Sequence, residues 1–148
     1  MDIERGTLEH IEHWARLRAA LWPDQSAEEH RDELIRTIRE EDERASAFVV
    51  RLGSGEIVGF AEAALRADYV NGCETSPVLF LEGIYVRPDH RRRGMARRLC
   101  DAVAAWGRSM GCIEFASDAL LDNEASHRLH AALGFEETER VVFFRKAL

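Results

Sequence analysis

One stretch limits what this chain can fold into more than any other. The apolar run Val78–Val86 ends at Pro88, passes through the basic turn Asp89-His90-Arg91-Arg92-Arg93-Gly94 and enters a helix that reaches Met110. A second apolar run, Cys112–Ser117, follows at once. A strand, a helix and a strand in that order need a crossover. Such crossovers are right-handed, and the two strands lie parallel. Ligands in sheets of this kind collect beyond the carboxyl ends of the strands.

The rest of the pattern surrounds that unit. Met1–Arg5 reads as a short edge strand, and Thr7 as the N-cap of a helix over Leu8–Leu21 that stops at Trp22-Pro23. Ser26 starts a second helix, running to about Glu41, with the narrow apolar stripe Leu34, Ile35 and Ile38. Ala45–Leu52 and Glu56–Leu65 are strands joined by Gly53-Ser54-Gly55. Residues 68–77 form a polar loop. After Ser117 come a loop, a short helix Glu124–Leu133 closed by Gly134, and a final strand Val141–Arg145. The expected order is β-α-α-β-β-β-α-β-α-β, an α/β fold on a mixed central sheet. At 148 residues and 46% hydrophobic content, one domain over residues 1–148 has enough apolar side chains to bury a core.

Charge narrows the partners. With 27 Asp and Glu against 20 Lys and Arg, the net charge is −7, which opposes a grip on nucleic acid or an anionic membrane. No apolar run is long enough to span a bilayer, and the polar N-terminus does not resemble a secretory signal. Cys73, Cys100 and Cys112 are odd in number and show no CxxC spacing, so they read as reduced thiols in a cytoplasmic protein and not as a metal site. Against this acidic background, residues 87–98 hold six arginines and one aspartate. A basic island at a helix start asks for a local anion. The helix N-terminus offers free amides, Gly94 allows close approach, and the arginines add charge. Neither a Walker loop nor GxGxxG is present.

Arg91-x-x-Gly94-x-Ala96 resembles the (Arg/Gln)-x-x-Gly-x-(Gly/Ala) pyrophosphate loop of the GNAT family of N-acetyltransferases. Asn123-x-x-Ser126-x-x-Leu129-His130-x-x-Leu133-Gly134-Phe135 is similar to a second segment of that family. The resemblance implies the GNAT fold, with parallel strands that splay apart around acetyl-coenzyme A. Arg91, Arg92, Arg93, Gly94, Met95 and Ala96 would seat the phosphates. Ile84, Tyr85 and Val86 would hold the pantetheine, with Asn123 and Ser126 nearby. Glu82-Gly83, inside an otherwise apolar strand, marks a bulge beside the thioester.

Further phrases, among them Leu21-Trp22-Pro23, Asp68–Cys73, Ser76-Pro77-Val78 and Gly134–Val141, resemble the aminoglycoside 6′-N-acetyltransferases. That resemblance implies a polycationic aminosugar substrate, a homodimer and direct acetyl transfer. Glu82 then either lines the cleft as the leading base or pairs with an arginine. Asp118, with Asp122 competing, is the second carboxylate. Trp22, Tyr69 and Glu74 are further substrate-side candidates. His130 stands where many relatives have a tyrosine, and either protonates the leaving thiolate or packs beneath the cofactor.

Overall fold

The computed structural model describes all 148 residues. Strands β1 (Asp2–Arg5), β2 (Ala45–Arg51), β3 (Ile57–Arg66), β4 (Val78–Val86) and β5 (Phe115–Ser117) form one mixed sheet in the order β1-β2-β3-β4-β5. The first three pairings are antiparallel and β4–β5 is parallel, as the crossover requires. The helices are α1 (Ile11–Leu21), α2 (Ala27–Glu40), α3 (Met95–Ser109) and α4 (Glu124–Ala132).

Alternation along the strands supplies a core on each face. On one side Trp14, Leu17 and Leu34 of α1 and α2 pack on Val49, Ile57 and Phe60. On the other, Leu99, Cys100 and Val103 of α3 pack on Val50, Val58, Ala61 and Leu79. The α3 backbone comes so close to β4 that a Cβ at Gly107 would collide with Leu79. Glycine there lets the crossover helix sit down on the sheet, which fixes where its N-terminus emerges.

Local chemistry sets the boundaries. Ser26 and Glu29 form a reciprocal capping box at α2, the Ser26 hydroxyl accepting from the Glu29 amide at 3.1 Å. Thr7 does not cap one continuous helix. The His10 ring accepts the Thr7 amide at 3.0 Å and tightens Leu8–His10 into a 3-10 turn ahead of α1. The last parallel strand begins later than its apolar run suggests. Cys112 instead closes α3 by donating to the Gly107 carbonyl at 3.0 Å.

One expected element is absent. Val141–Arg145 forms no strand, and residues beyond Phe135 carry no regular structure and are exposed throughout. Phe143 and Phe144 are 87% and 92% exposed. The segment has strand-forming side chains, but a strand needs an edge to pair with, and within this chain nothing pairs with it.

Candidate active site

The basic turn leads into an uncapped helix start, and its arginines have separate tasks. Pro88–His90 form a 3-10 turn, Arg92 takes φ 62°, and Gly94, at φ 77°, is the residue from which α3 starts. No side chain caps α3 and no acid lies in its first turn. The amides of Met95, Ala96 and Arg97 therefore face outward at the positive end of the helix dipole. A Cβ at Gly94 would meet nothing within 4 Å, so the space over the turn is open, while the positive φ favours glycine.

Arg87 is taken up by Glu56 and Asp89. Arg91 braces the turn, its Nε donating to the Val86 carbonyl at 2.8 Å while its guanidinium lies 5.3 Å from the Tyr85 ring centroid. Arg97 reaches the Ala132 carbonyl. Arg92, Arg93 and Arg98 remain exposed at the mouth.

Beside the turn the sheet opens. Pairing of β4 with β5 runs from Leu79–Phe115 to Leu81–Ser117 and stops. Beyond it Gly83–Val86 stay paired with β3 on one edge and have no strand on the other. The β3–β4 register steps from Ala63–Leu81 to Glu62–Gly83, so Glu82 is the extra residue of a bulge. The bulge expected at Glu82-Gly83 is therefore present, and it lies where the strands part. Gly83 is needed for a second reason, because a Cβ there would strike the Trp22 ring.

The Glu82 carboxylate is exposed, and Arg66 Nη2 lies 3.1 Å from both of its oxygens. The ion pair weighed from sequence exists. A solvent-exposed pair is worth only about 0–1 kcal/mol, so it does not lock the carboxylate in place. Trp22 and Glu82 line one cavity of about 560 Å³. Deeper in it Arg18 Nε donates to Glu62 at 3.0 Å, and the Arg18 guanidinium lies 5.2 Å from the Trp22 ring centroid. Burial pushes the Glu62 carboxyl up, against the opposing pull of Arg18.

Asp118 lies exposed just beyond β5, at the open end of the splay. The residue before it has a defined role. Ser117 Oγ is 2.7 Å from His130 Nε2 and 3.3 Å from the Leu81 carbonyl. His130 Nδ1 is 2.7 Å from the Ser126 carbonyl, which can only accept, so Nδ1 carries a proton. Phe135 packs edge-on against the His130 ring at 5.4 Å. Asn123 accepts the Ser126 amide at 3.1 Å, which makes these two residues the cap of α4.

The 68–77 loop carries Tyr69, 76% exposed, and an exposed Glu74. Neither lines the cavity that holds Trp22 and Glu82. Glu114, which sequence reasoning passed over, pins this loop to the approach of β5. Its carboxylate accepts the amides of Glu74 and Thr75, at 3.0 and 2.7 Å, and the Thr75 hydroxyl. The Thr75 hydroxyl and the Glu74 amide hold the Glu114 carboxyl below the usual carboxylate range. Ser117, Arg18 and Glu62 were also missed. Glu62 and Glu114 carry the signal that singled out Glu82, a lone acid in an apolar strand run. Ser117 had none.

A model of the acetyltransferase (GNAT) family matches residues 10–135. An aminoglycoside N(6′)-acetyltransferase type 1 of Serratia marcescens is 52% identical over 140 residues, covering 95% of this chain and 94% of that protein. One of Salmonella enteritidis is 48% identical over 146 residues, covering 99% of each. The solved structure of AAC(6′)-Iy with the bisubstrate analogue CoA-S-monomethyl-acetylneamine superposes with a TM-score of 0.90 at 45% identity. That match covers 99% of this chain and 98% of the other.

A carboxyl held low in the folded state stabilises it above the unfolded pKa, about 4.3, and loses that contribution as pH falls. Glu114→Gln should therefore lower the melting temperature at pH 7, with the gap to wild type narrowing below about pH 4.3. Thermal melts between pH 7 and 3.5 test this, and a constant gap would contradict the role.

Proposed function

The chain belongs to the acetyltransferase (GNAT) family, and we propose that it transfers acetyl from acetyl-coenzyme A to the 6′-amine of aminoglycosides, conferring resistance to them. The observation that carries this reading is the coincidence, at one place, of the free anion seat at Gly94–Arg97, the unpaired edge of Glu82–Val86 and the carboxylates Glu82 and Asp118. The near-full-length relatives named aminoglycoside N(6′)-acetyltransferase support the choice of amine, and an analogue joining coenzyme A to acetylneamine supports two substrates side by side.

The residues fit acetyl-coenzyme A. The uncapped α3 amides with Arg92, Arg93 and Arg98 suit its phosphates, and the open edge at Ile84–Val86 offers amides and carbonyls to an extended pantetheine. Bound there, it would supply the acetyl group as an activated thioester. The amine arrives as an ammonium, with a pKa near ~10, and must lose a proton before attack. Glu82 Oε accepts that proton once Arg66 is displaced, and Asp118 holds a second ammonium or takes the proton instead.

His130 returns a proton through Ser117. As imidazolium its Nε2–H donates to Ser117 Oγ, whose own hydrogen is then free to point into the splay. The three unpaired cysteines support work in the cytoplasm. The exposed run Val141-Val142-Phe143-Phe144 supports a homodimer in which each copy covers the other's tail, since monomers rarely leave such a patch uncovered.

Three results follow. Neomycin, with a 6′-amine, should release coenzyme A, and paromomycin, with a 6′-hydroxyl, should not. Equal release from both, or none from either, would overturn the 6′-amine reading. His130→Phe should lower kcat by about a hundredfold, the low end for proton transfer because a thiolate already leaves tolerably. An unchanged kcat would reduce His130 to packing. Light scattering should find twice the 16.8 kDa chain mass, falling to one chain in Phe143→Asp/Phe144→Asp.

A further inference from the structure

The imidazole of His130 is held from two sides. Its Nδ1 donates to the Ser126 carbonyl at 2.7 Å, and Phe135 packs edge-on against the ring with centroids 5.4 Å apart. The neutral ring therefore turns a lone pair at Nε2 toward Ser117 Oγ, 2.7 Å away, and the hydroxyl donates to it. A hydroxyl on an imidazole whose other nitrogen is fixed by a third group is the arrangement that turns serine into a nucleophile. The two charge states of the ring give the pair opposite roles. Imidazolium makes it an acid, and neutral imidazole makes it a base.

Its place in the fold suits that second role. Both residues are half-buried, and Ser117 is the last residue of β5 to pair with β4, where the splay opens. Its hydroxyl lies 3.3 Å from the Leu81 carbonyl on the same edge of β4. Further along β4 the Arg87 amide bonds to the Val58 carbonyl of β3, so by alternation the amides of Val86 and Ile84 face the open edge. An amide on that edge can receive the negative charge that develops on a carbonyl oxygen under attack. The thiols offer no rival nucleophile, because burial pushes Cys73, Cys100 and Cys112 up and keeps them protonated.

We propose that Ser117 and His130 form a nucleophile–base pair that hydrolyses the acetyl thioester, through an acetylated Ser117, whenever no amine occupies the acceptor side. His130 Nε2 takes the Ser117 proton as Oγ bonds to the acetyl carbon. The carbon–sulfur bond breaks, and the departing thiolate takes that proton from the imidazolium. A water then gives a proton to Nε2 and attacks the ester. The Ser117 oxygen leaves, recovers the proton from the ring, and acetate is released. Water is the sole co-reactant, and nothing is oxidised or reduced. The Ser126 carbonyl fixes the tautomer but carries no charge to balance the imidazolium, so this is a slow side reaction that an amine held at Glu82 outruns.

The donor in this inference rests on the acetyltransferase reading, and the assays keep the two apart. Coenzyme A release from acetyl-coenzyme A is followed with and without neomycin, in wild type and in Ser117→Ala. Both proteins are also mixed with p-nitrophenyl acetate, quenched in acid during the first turnover, and digested for mass mapping. Acceptor-free release should fall about a hundredfold in Ser117→Ala, the low end for a base-assisted step. The ester should leave one acetyl group on Ser117 of the wild type. Equal acceptor-free release from the two proteins, or a wild-type Ser117 that stays unacetylated, overturns the pair and leaves transfer to neomycin standing. An acetylated Ser117 without any neomycin-dependent release supports the pair and overturns the transfer reading.

Discussion

Backbone pairing between β4 and β5 stops at Leu81–Ser117, and on that edge the backbone from Gly83 to Val86 has no strand partner, only the Val86 carbonyl being taken by Arg91. Unpaired backbone is costly when buried and useful when it faces a ligand. The splay also determines the neighbourhood of every reactive group. Glu82 stands on one side as a bulge residue, Ser117 and Asp118 stand on the other, and the uncapped start of α3 closes the far end. Had the two strands stayed paired by two more residues, the site would have no interior.

The charges divide by function more finely than their density suggests. Of the six arginines in residues 87–98, Arg87 and Arg97 hold the turn to the body of the protein and Arg91 braces it against β4. Only Arg92, Arg93 and Arg98 are left for an anion. On the acceptor side, Arg66 occupies Glu82 and Arg18 occupies Glu62. The exposed Arg66 pair is weak and exchangeable. The buried Arg18 pair is not, because removing one partner leaves an uncompensated charge in a low-dielectric site. One pair is free to exchange while the other keeps the wall of the cavity in place.

Much of the fold was legible. The spacing in Val78–Ser117 implied a parallel pair and a crossover, the lone Glu82-Gly83 implied a bulge, and Ser26 implied a helix start. Each of these is local, or follows from handedness alone. The site was legible only in part. Lone acids in apolar strands marked Glu62 and Glu114 as strongly as Glu82, but the sequence does not say that one meets Arg18, another Arg66 and the third the amides of a loop. Ser117 carried no signal because its role exists only where α4 brings His130 to within 2.7 Å.

The failed strand at Val141–Arg145 marks the same boundary from the other side. Side-chain propensity for extended backbone is a property of the segment, and pairing with another strand is a property of the tertiary structure. By itself the sequence determined the order of elements as far as α4, the helix start at Gly94 and the lone acid at the β4 bulge, because periodicity, glycine conformation and helix-end chemistry act over a few residues. Tertiary structure alone decided where β4 and β5 part, which arginine neutralises which acid, and that the cleft continues under α2. Those depend on contacts between residues tens of positions apart, set by packing on two faces of one sheet.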